Sequence, residues 1–578
     1  MSDQKVENLL ELSLDVTEGT REKSENLSAG YDEEEKRWQV IFRFTGDIEN
    51  FAGDYDRVTP LLGGYAVAEV TENQLRALAA EPRVEFIEKP KALSFAVYNG
   101  KLVSCIPPVQ SPPFSLTGQG ILVGIIDSGI DIFHPDFRNE DGSTRIAGLW
   151  DQTLTPAADT DQAPPEGYPA GVYFSREDLN AILTTEQRSP TVDVSGHGTH
   201  VAGIAAGNGR ASRGENRGVA YEADLLVVKL GSRKREGFPQ TAELMLGIDF
   251  CVRFSLVRNQ PLALNLSYGN SYGSHTGTSL IETYLDQVAN IGRTTICVGS
   301  GNEGNRKRHA AGVLSEGTDQ VIEFIVAPGE YNLSIQLWKQ YVDSFQISLQ
   351  TPSGRTIVLS EDLAGTYRYV QDGTEILWYF GEPAPYSVQQ EIYLELLPEG
   401  VYTNIRSGIW KLTLSPRNII DGRYDLWMPS GSSINAETGF LVPDVNTTLT
   451  IPSTAFKPIT VAAYDGNTGT YAAFSGRGFV CCNLVKPDLA APGVDIMSCA
   501  PGGGYTSRTG TSMACPFVTG SAALLMQYGI IQENDPYLFG QKLKAYLIRG
   551  ARQLSAFSEY PNDRIGWGAL CLRDSFPE

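Results

Sequence analysis

The sequence predicts an α/β protein, a parallel sheet with helices on both faces. A small α+β unit precedes it and an all-β unit interrupts it. Three observations carry this. Short, fully apolar runs alternate with helical stretches between 120 and 305: "GILVGIID" (120–127), "ADLLVVKL" (223–230), "PLALNLSYG" (261–269) and "TTICVGSGN" (294–302). Strands without period-two alternation are buried on both faces, and helices between them imply parallel pairing. Residues 310–440 read differently, as short strands separated by turn signals, with no convincing helix. The buried-strand style then returns, so the β unit is an insertion. A chain of 578 residues exceeds one ordinary core, which fits several domains.

The elements follow in order. Residues 1–35 are rich in Glu, Lys, Ser and Asn and are expected to begin loosely ordered. "RWQVIFRFTG" (37–46) and "YAVAEV" (65–70) read as strands. "TENQLRALAAEP" (71–82) has Thr71 and Gln74 in capping-box positions ahead of helical spacing, and "VEFIEKP" (84–90) is a last strand. The Pro-rich "IPPVQSPPF" (106–114) reads as a linker. Helices are predicted in "THVAGIAAG", "TAELMLGIDFCVRF" and "LIETYLDQVANIG". In the insert, runs such as "DQVIEFIVA", "SFQISLQTPSG" and "GIWKLTLSP" have the spacing of a sandwich or jelly roll. "KPITVAAYD" and "LVKPDLAAPG" resume the buried strands, and "RTGTSMACPFVTGSAALLM" (508–526) turns through glycine into an apolar helix. The expected domains are 1–96, 97–309 with 441–578, and the insert 310–440.

A net charge of -22 repels phosphate backbones and argues against nucleic-acid binding. The start, "MSDQKVENLLELSLD", lacks the basic and apolar regions of a secretory signal, so none is expected. "CPFVTGSAALLMQYGII" (515–531) carries Pro516 and polar residues; it reads as a buried helix, and no membrane span is expected. The eight cysteines, Cys105, Cys251, Cys297, Cys481, Cys482, Cys499, Cys515 and Cys571, show no CxxC pairing. Free thiols are expected, with neither a zinc site nor a disulfide framework.

Ser512 in "GTSMACP" opens an apolar helix, where backbone N–H groups and the helix dipole favour developing negative charge. A plain N-cap serine is the bland reading. A nucleophilic serine needs a base, and none of the five histidines follows it, which excludes the α/β-hydrolase order Ser, acid, His. His197 in "SGHGTHVAG" is the best base: Gly196 and Gly198 leave room for substrate, and it opens a helix. His200 is read as a packing histidine, and His134, His275 and His309 as loop residues. Asp127 ends the apolar run of "GILVGIID", where a carboxylate is costly unless paired, and the carboxyl ends of parallel strands are where ligands sit. Asn302, ending "CVGSGN" among glycines, reads either as an oxyanion donor together with the Ser512 N–H or as a plain left-handed turn residue.

The blocks "IIDSGID", "GHGTHVAG", "SGNEGN" and "GTSMACPFVTG" resemble the four signatures of the subtilisin-like serine proteases, over roughly 115–309 and 441–578. The resemblance implies an endopeptidase with Asp127 as orienting acid, His197 as base, Ser512 as nucleophile and Asn302 as oxyanion donor. It implies that "NLSYGN" pairs with an extended protein or peptide substrate, with Ser267, Tyr268 and Gly269 lining the cleft and Gly299 and Ser300 walling the first pocket. It makes the N-terminal unit a propeptide that occupies the cleft, cut near Phe95 and Ala96. The acidic N-terminus, the β insert and the missing signal resemble the Csp-type germination subtilases of clostridial spores. That implies self-processing, activation of a cortex-lytic zymogen, and a cytoplasmic or spore-associated location. No cofactor is required. Asp136 matches a family calcium-ligand position, but "GNGRASRGENRGVA" lacks a metal loop, so the usual calcium site is not expected. The alternative is a propeptide-latched scaffold of the same fold with little turnover.

Overall fold

The computed structural model describes residues 5–21, 25–28, 30–46, 57–61, 64–90, 96–157, 162–185, 189–231, 239–359, 365–385, 387–431, 433–478 and 484–576. The chain forms two compact units, Met1–Phe95 and Ala96–Glu578. Phe95 lies outside the described residues, and Ala96 is the first residue of a helix, Ala96–Val103.

The first unit packs helix Glu72–Ala80 against an antiparallel sheet of Arg37–Phe44, Tyr65–Val70, Val58–Leu61 and Val84–Glu88, with Tyr31–Asp32 at one edge. Thr71 and Gln74 form the capping box read from the sequence. The start of the chain is more ordered than its composition predicts. Helix Asn8–Asp15 seats Leu10 in the unit's core with Val6, and Arg21 stacks over the Tyr31 and Trp38 rings. Val6, Leu10 and Leu14 recur at helical spacing, so one apolar stripe survives in a polar sequence.

In the second unit eight strands form one sheet: β1 (Leu122–Asp127), β2 (Ile146–Asp151), β3 (Val172–Ser175), β4 (Asp224–Lys229), β5 (Leu262–Leu266), β6 (Thr294–Gly299), β7 (Ile459–Tyr464) and β8 (Leu489–Pro492). Their order is β8-β7-β6-β5-β1-β4-β2-β3, with every pairing parallel except β2–β3. Every residue of β1, β2, β5, β6, β7 and β8 is buried, because helices cover both faces. One face packs on α1 (His197–Ala206) and α4 (Thr511–Met526), the other on α2 (Thr241–Val257) and α3 (Leu280–Val288).

The Pro-rich stretch 106–114 is no linker. Ile106 and Val109 are fully buried in the core of this unit, because apolar side chains are interleaved with the prolines. The cysteines also depart from expectation. Cys105 and Cys571 are joined by a disulfide across 466 residues, while Cys251, Cys297, Cys499 and Cys515 are buried free thiols. Spacing could not reveal that pair, because only the fold brings the two ends together. Cys481 and Cys482 lie outside the described residues.

The insert is a sandwich of two antiparallel sheets, one of six strands from His309–Val313 onward and one of five. Phe324, Ile347, Leu394, Trp410 and Leu412 fill the space between them.

Candidate active site

Two helices and two strand ends build the site. β1 lies where the strand order reverses, flanked by β5 and β4, and opens its carboxyl end into a crevice. Asp127, the last residue of β1, is fully buried there. Its Oδ1 accepts hydrogen bonds from His197 Nδ1 at 2.7 Å and from the Ser128 N–H at 2.7 Å. This fixes the imidazole with Nδ1 protonated and leaves Nε2 as the basic nitrogen. Burial works against the imidazolium, but the charge and hydrogen bond of Asp127 outweigh it and raise the His197 pKa above its ordinary value.

The two helices share a pattern. In α1 every residue is buried except His197; in α4 every residue is buried except Ser512. Each helix is therefore an interior element whose first turn alone reaches the cleft. The Thr511–Ile531 stretch is long and apolar enough to cross a membrane, yet 89% of its most apolar window is buried within the protein. Pro516 lacks the N–H that would bond the Ser512 carbonyl, and Ser267 Oγ donates to that carbonyl instead at 3.5 Å. Ser512 Oγ donates to the Ser267 carbonyl at 3.4 Å. Ser512 and His197 line one small cavity with Asn302.

Asn302 sits just beyond β6. Its Oδ1 accepts from the Thr511 N–H at 3.0 Å and from Thr511 Oγ1 at 3.2 Å. The amide oxygen is thus committed to the start of α4, and Nδ2 remains as the donor. The Ser512 N–H, in the first helical turn, has no intrahelical acceptor. Asn302 Nδ2 and the Ser512 N–H are two donors available at the cavity that Ser512 shares with His197.

The glycines around His197 do something other than admit substrate. A Cβ on Gly198 would meet the Gly129 carbonyl oxygen at 2.2 Å, and one on Gly196 would meet Pro501 Cδ at 2.8 Å. Gly198 lets α1 approach the loop after Asp127 closely enough for the 2.7 Å contact, and Gly196 makes room for Pro501. Gly196 also takes a left-handed conformation, φ 67°.

Asp193, unmarked in the sequence reading, anchors this approach. It is 2% exposed; Oδ1 accepts from Gly196 N–H and Ser128 Oγ, and Oδ2 from the Thr199 N–H and hydroxyl. It joins the helix start to the Asp127 loop. An acid four residues before a helix-opening histidine was the available signal.

His200 is buried, with Nε2 on the Ile496 and Thr506 carbonyls at 2.9 and 3.0 Å, and burial lowers its pKa to about 4. His134 is fully buried against the Gly504 carbonyl. His275 and His309 are buried too, stacked on the Trp427 ring.

Ser267, Tyr268, Gly269 and Gly299 line a pocket of about 250 Å³ beside Ser512. Ser300 does not face it. Neighbouring residues of extended chain point to opposite sides, so with Gly299 at the pocket Ser300 turns inward; it is fully buried, its hydroxyl 3.1 Å from Ser475 Oγ.

The residues around Asp136 do not fit a calcium ion. Asp136 is fully buried, and its carboxylate receives hydrogen-bond donors: the Ala211 N–H at 2.9 Å, the Tyr505 hydroxyl at 2.8 Å and Cys499 Sγ at 3.4 Å. Calcium requires oxygen ligands that accept, and these partners donate.

The chain belongs to the subtilase family: the model described as "Subtilase family" matches residues 118–341 and 442–568. The model described as "Csp protease B prodomain" matches residues 4–91. Among solved structures, the Clostridium perfringens CspB protease is similar with TM-score 0.75 and 35% identity, covering 83% of this chain and 96% of that one. The PII-type proteinase of Lactococcus lactis subsp. cremoris is 26% identical over 474 residues, 75% of this chain. The minor extracellular protease Vpr of Bacillus subtilis is 25% identical over 484 residues, 79% of this chain. The chain spans only 24% of the length of the lactococcal relative and 52% of Vpr.

Proposed function

We propose that the chain is a serine endopeptidase made as a self-processing precursor. The observation that carries the reading is that His197, hydrogen-bonded to Asp127, shares one cavity with Ser512 and Asn302. Ser512 turns from the Ser267 carbonyl to His197 Nε2 and attacks a substrate carbonyl as the imidazole takes its proton. Asp127 holds the tautomer and stabilises the imidazolium. Asn302 Nδ2 and the Ser512 N–H hold the oxyanion. His197 then protonates the leaving amine, and water repeats the sequence on the acyl-enzyme.

The match to a Csp protease B prodomain and the likeness to CspB support a propeptide released from residues 1–96 near Phe95 and Ala96, and occupancy of the cleft by that propeptide before release. They also support a spore-associated role in cutting the pro-segment from a cortex-lytic zymogen. No cofactor takes part. Labelling with a fluorophosphonate, together with N-terminal sequencing of the purified chain, tests the reading. A Ser512-labelled chain beginning near residue 96 supports it. An unlabelled full-length chain, still inert after proteolytic removal of residues 1–96, favours the scaffold reading.

A further inference from the structure

We propose that the β insert is a working part of the substrate cleft, and that its Ser430–Gly431 link sets which side chain is accepted immediately before the scissile bond. The inference rests on the endopeptidase reading above. Ser430 and Gly431 stand in the wall of the pocket beside Ser512, together with Gly299, Gly301 and Thr450 of the parallel-sheet part. The same two residues continue into the adjoining cleft along Tyr268 and Asn270. The insert therefore borders the substrate-pairing segment from the pocket outward.

The link is also wired to the oxyanion loop. Gly431 N–H donates to Glu303 Oε1 at 2.9 Å, and Glu303 directly follows Asn302. Glu303 is 7% exposed, and burial raises its pKa. Gly431 takes φ +65° with open space where a Cβ would stand, so the glycine serves the turn that aims its N–H at Glu303.

Two further contacts fix the insert against the cleft. Trp427, at the end of strand Arg423–Trp427, stacks on His275 at 4.2 Å and 18°. Gln336 Oε1 accepts from the Gly273 N–H at 2.8 Å, in the loop that follows Ser267–Gly269. A wall held through Trp427 on one side of the link and through the Gly431 N–H on the other is fixed against the cleft, as a specificity element requires.

The pocket's chemistry names the substrate class. Its described lining consists of glycine backbone, hydroxyls, Asn302, Glu303, Arg306 and one ring, Tyr268, without an aliphatic side chain. Such a wall suits a polar, hydrogen-bonding side chain and leaves an aliphatic one without matching surface.

The test uses the self-processed protein, freed of residues 1–96, and fluorogenic peptides that differ only in the residue before the cleaved bond: glutamine, lysine, leucine and alanine. The wild type is expected to prefer glutamine or lysine over leucine in separate peptides; the cut near Phe95 and Ala96 is intramolecular, its high effective concentration overriding the side-chain preference. Ser430→Leu and Glu303→Ala should each move the polar-to-leucine ratio of kcat/KM toward leucine by roughly ten-fold or more. Glu303→Gln, which keeps an acceptor for Gly431, should restore the ratio toward wild type. Fluorophosphonate labelling and a melting curve accompany each variant. Ratios unchanged in all variants, with labelling intact, overturn the inference while leaving the endopeptidase reading standing. A wild type that prefers leucine also overturns it. A wild type that neither labels nor cleaves overturns the endopeptidase reading first, and this inference with it.

Discussion

Replacing Asn302 by Asp separates the structural job of this side chain from its proposed catalytic one. Oδ1 accepts from Thr511 N–H and Oγ1, which ties the loop after β6 to the start of α4. Nδ2 is the proposed oxyanion donor. An aspartate keeps both acceptor contacts and adds negative charge at a helix N-terminus, where the dipole stabilises it by about 0.3–1 kcal/mol. The fold should therefore be unharmed, with a melting temperature equal to or above wild type. The developing oxyanion instead meets a carboxylate where a donor stood. Loss of one such donor costs about 2.7–4 kcal/mol of transition-state stabilisation, a fall of about 10²–10³ in kcat. Added repulsion puts Asn302→Asp at or beyond the upper end. KM should change little, since the ground-state carbonyl is not yet charged. The assay is steady-state hydrolysis of a fluorogenic peptide by the processed enzyme, beside a thermal melt. Wild-type kcat within a few-fold would refute the oxyanion assignment. A collapse in melting temperature would refute the claim that the Thr511 contacts tolerate a carboxylate.

Ser512→Ala should purify as the uncut full-length chain; N-terminal sequencing that finds a start near residue 96 would show that another group performs the cut. The acid limb of kcat/KM should lie above the ordinary histidine pKa of 6.5, since the charge and hydrogen bond of Asp127 outweigh burial at His197, and activity should fall as pH drops through the limb. Asp127→Asn should move the limb to lower pH and reduce kcat by about 10⁴, read from pH–rate profiles of both proteins. Gly198→Ala places a methyl 2.2 Å from the Gly129 carbonyl oxygen. The overlap should cost about 1–3 kcal/mol of stability and most of the activity, measured by denaturant unfolding and peptide hydrolysis. Lys486 is fully buried, and desolvation lowers its pKa to about 7. Between that value and 10.5 the unfolded chain binds a proton that the folded one does not, so this group's contribution to stability rises with pH across the window. Lys486→Met should lose that part of the pH dependence in parallel melts.

The sequence alone made four short blocks readable, because each obeys a local rule. An apolar run ending in Asp127 is a buried strand delivering a carboxylate to its carboxyl end. Glycines around His197, and a Gly-Thr turn before Ser512, open apolar helices. Asn302 ends another buried strand. The capping box at Thr71 and the period-two runs of the insert are local in the same sense. What the tertiary structure decided depends on residues far apart in the chain. Ser300 turns away from the pocket because Gly299 occupies the facing position. Gly198 yields space to Gly129, not to substrate. Cys105 meets Cys571 across the length of the unit, and Asp136 is filled by donors from distant loops. The insert's hold on Glu303 belongs to the same class. Local pattern sets which residues are buried and how each element begins; only packing sets which partner a buried group finds.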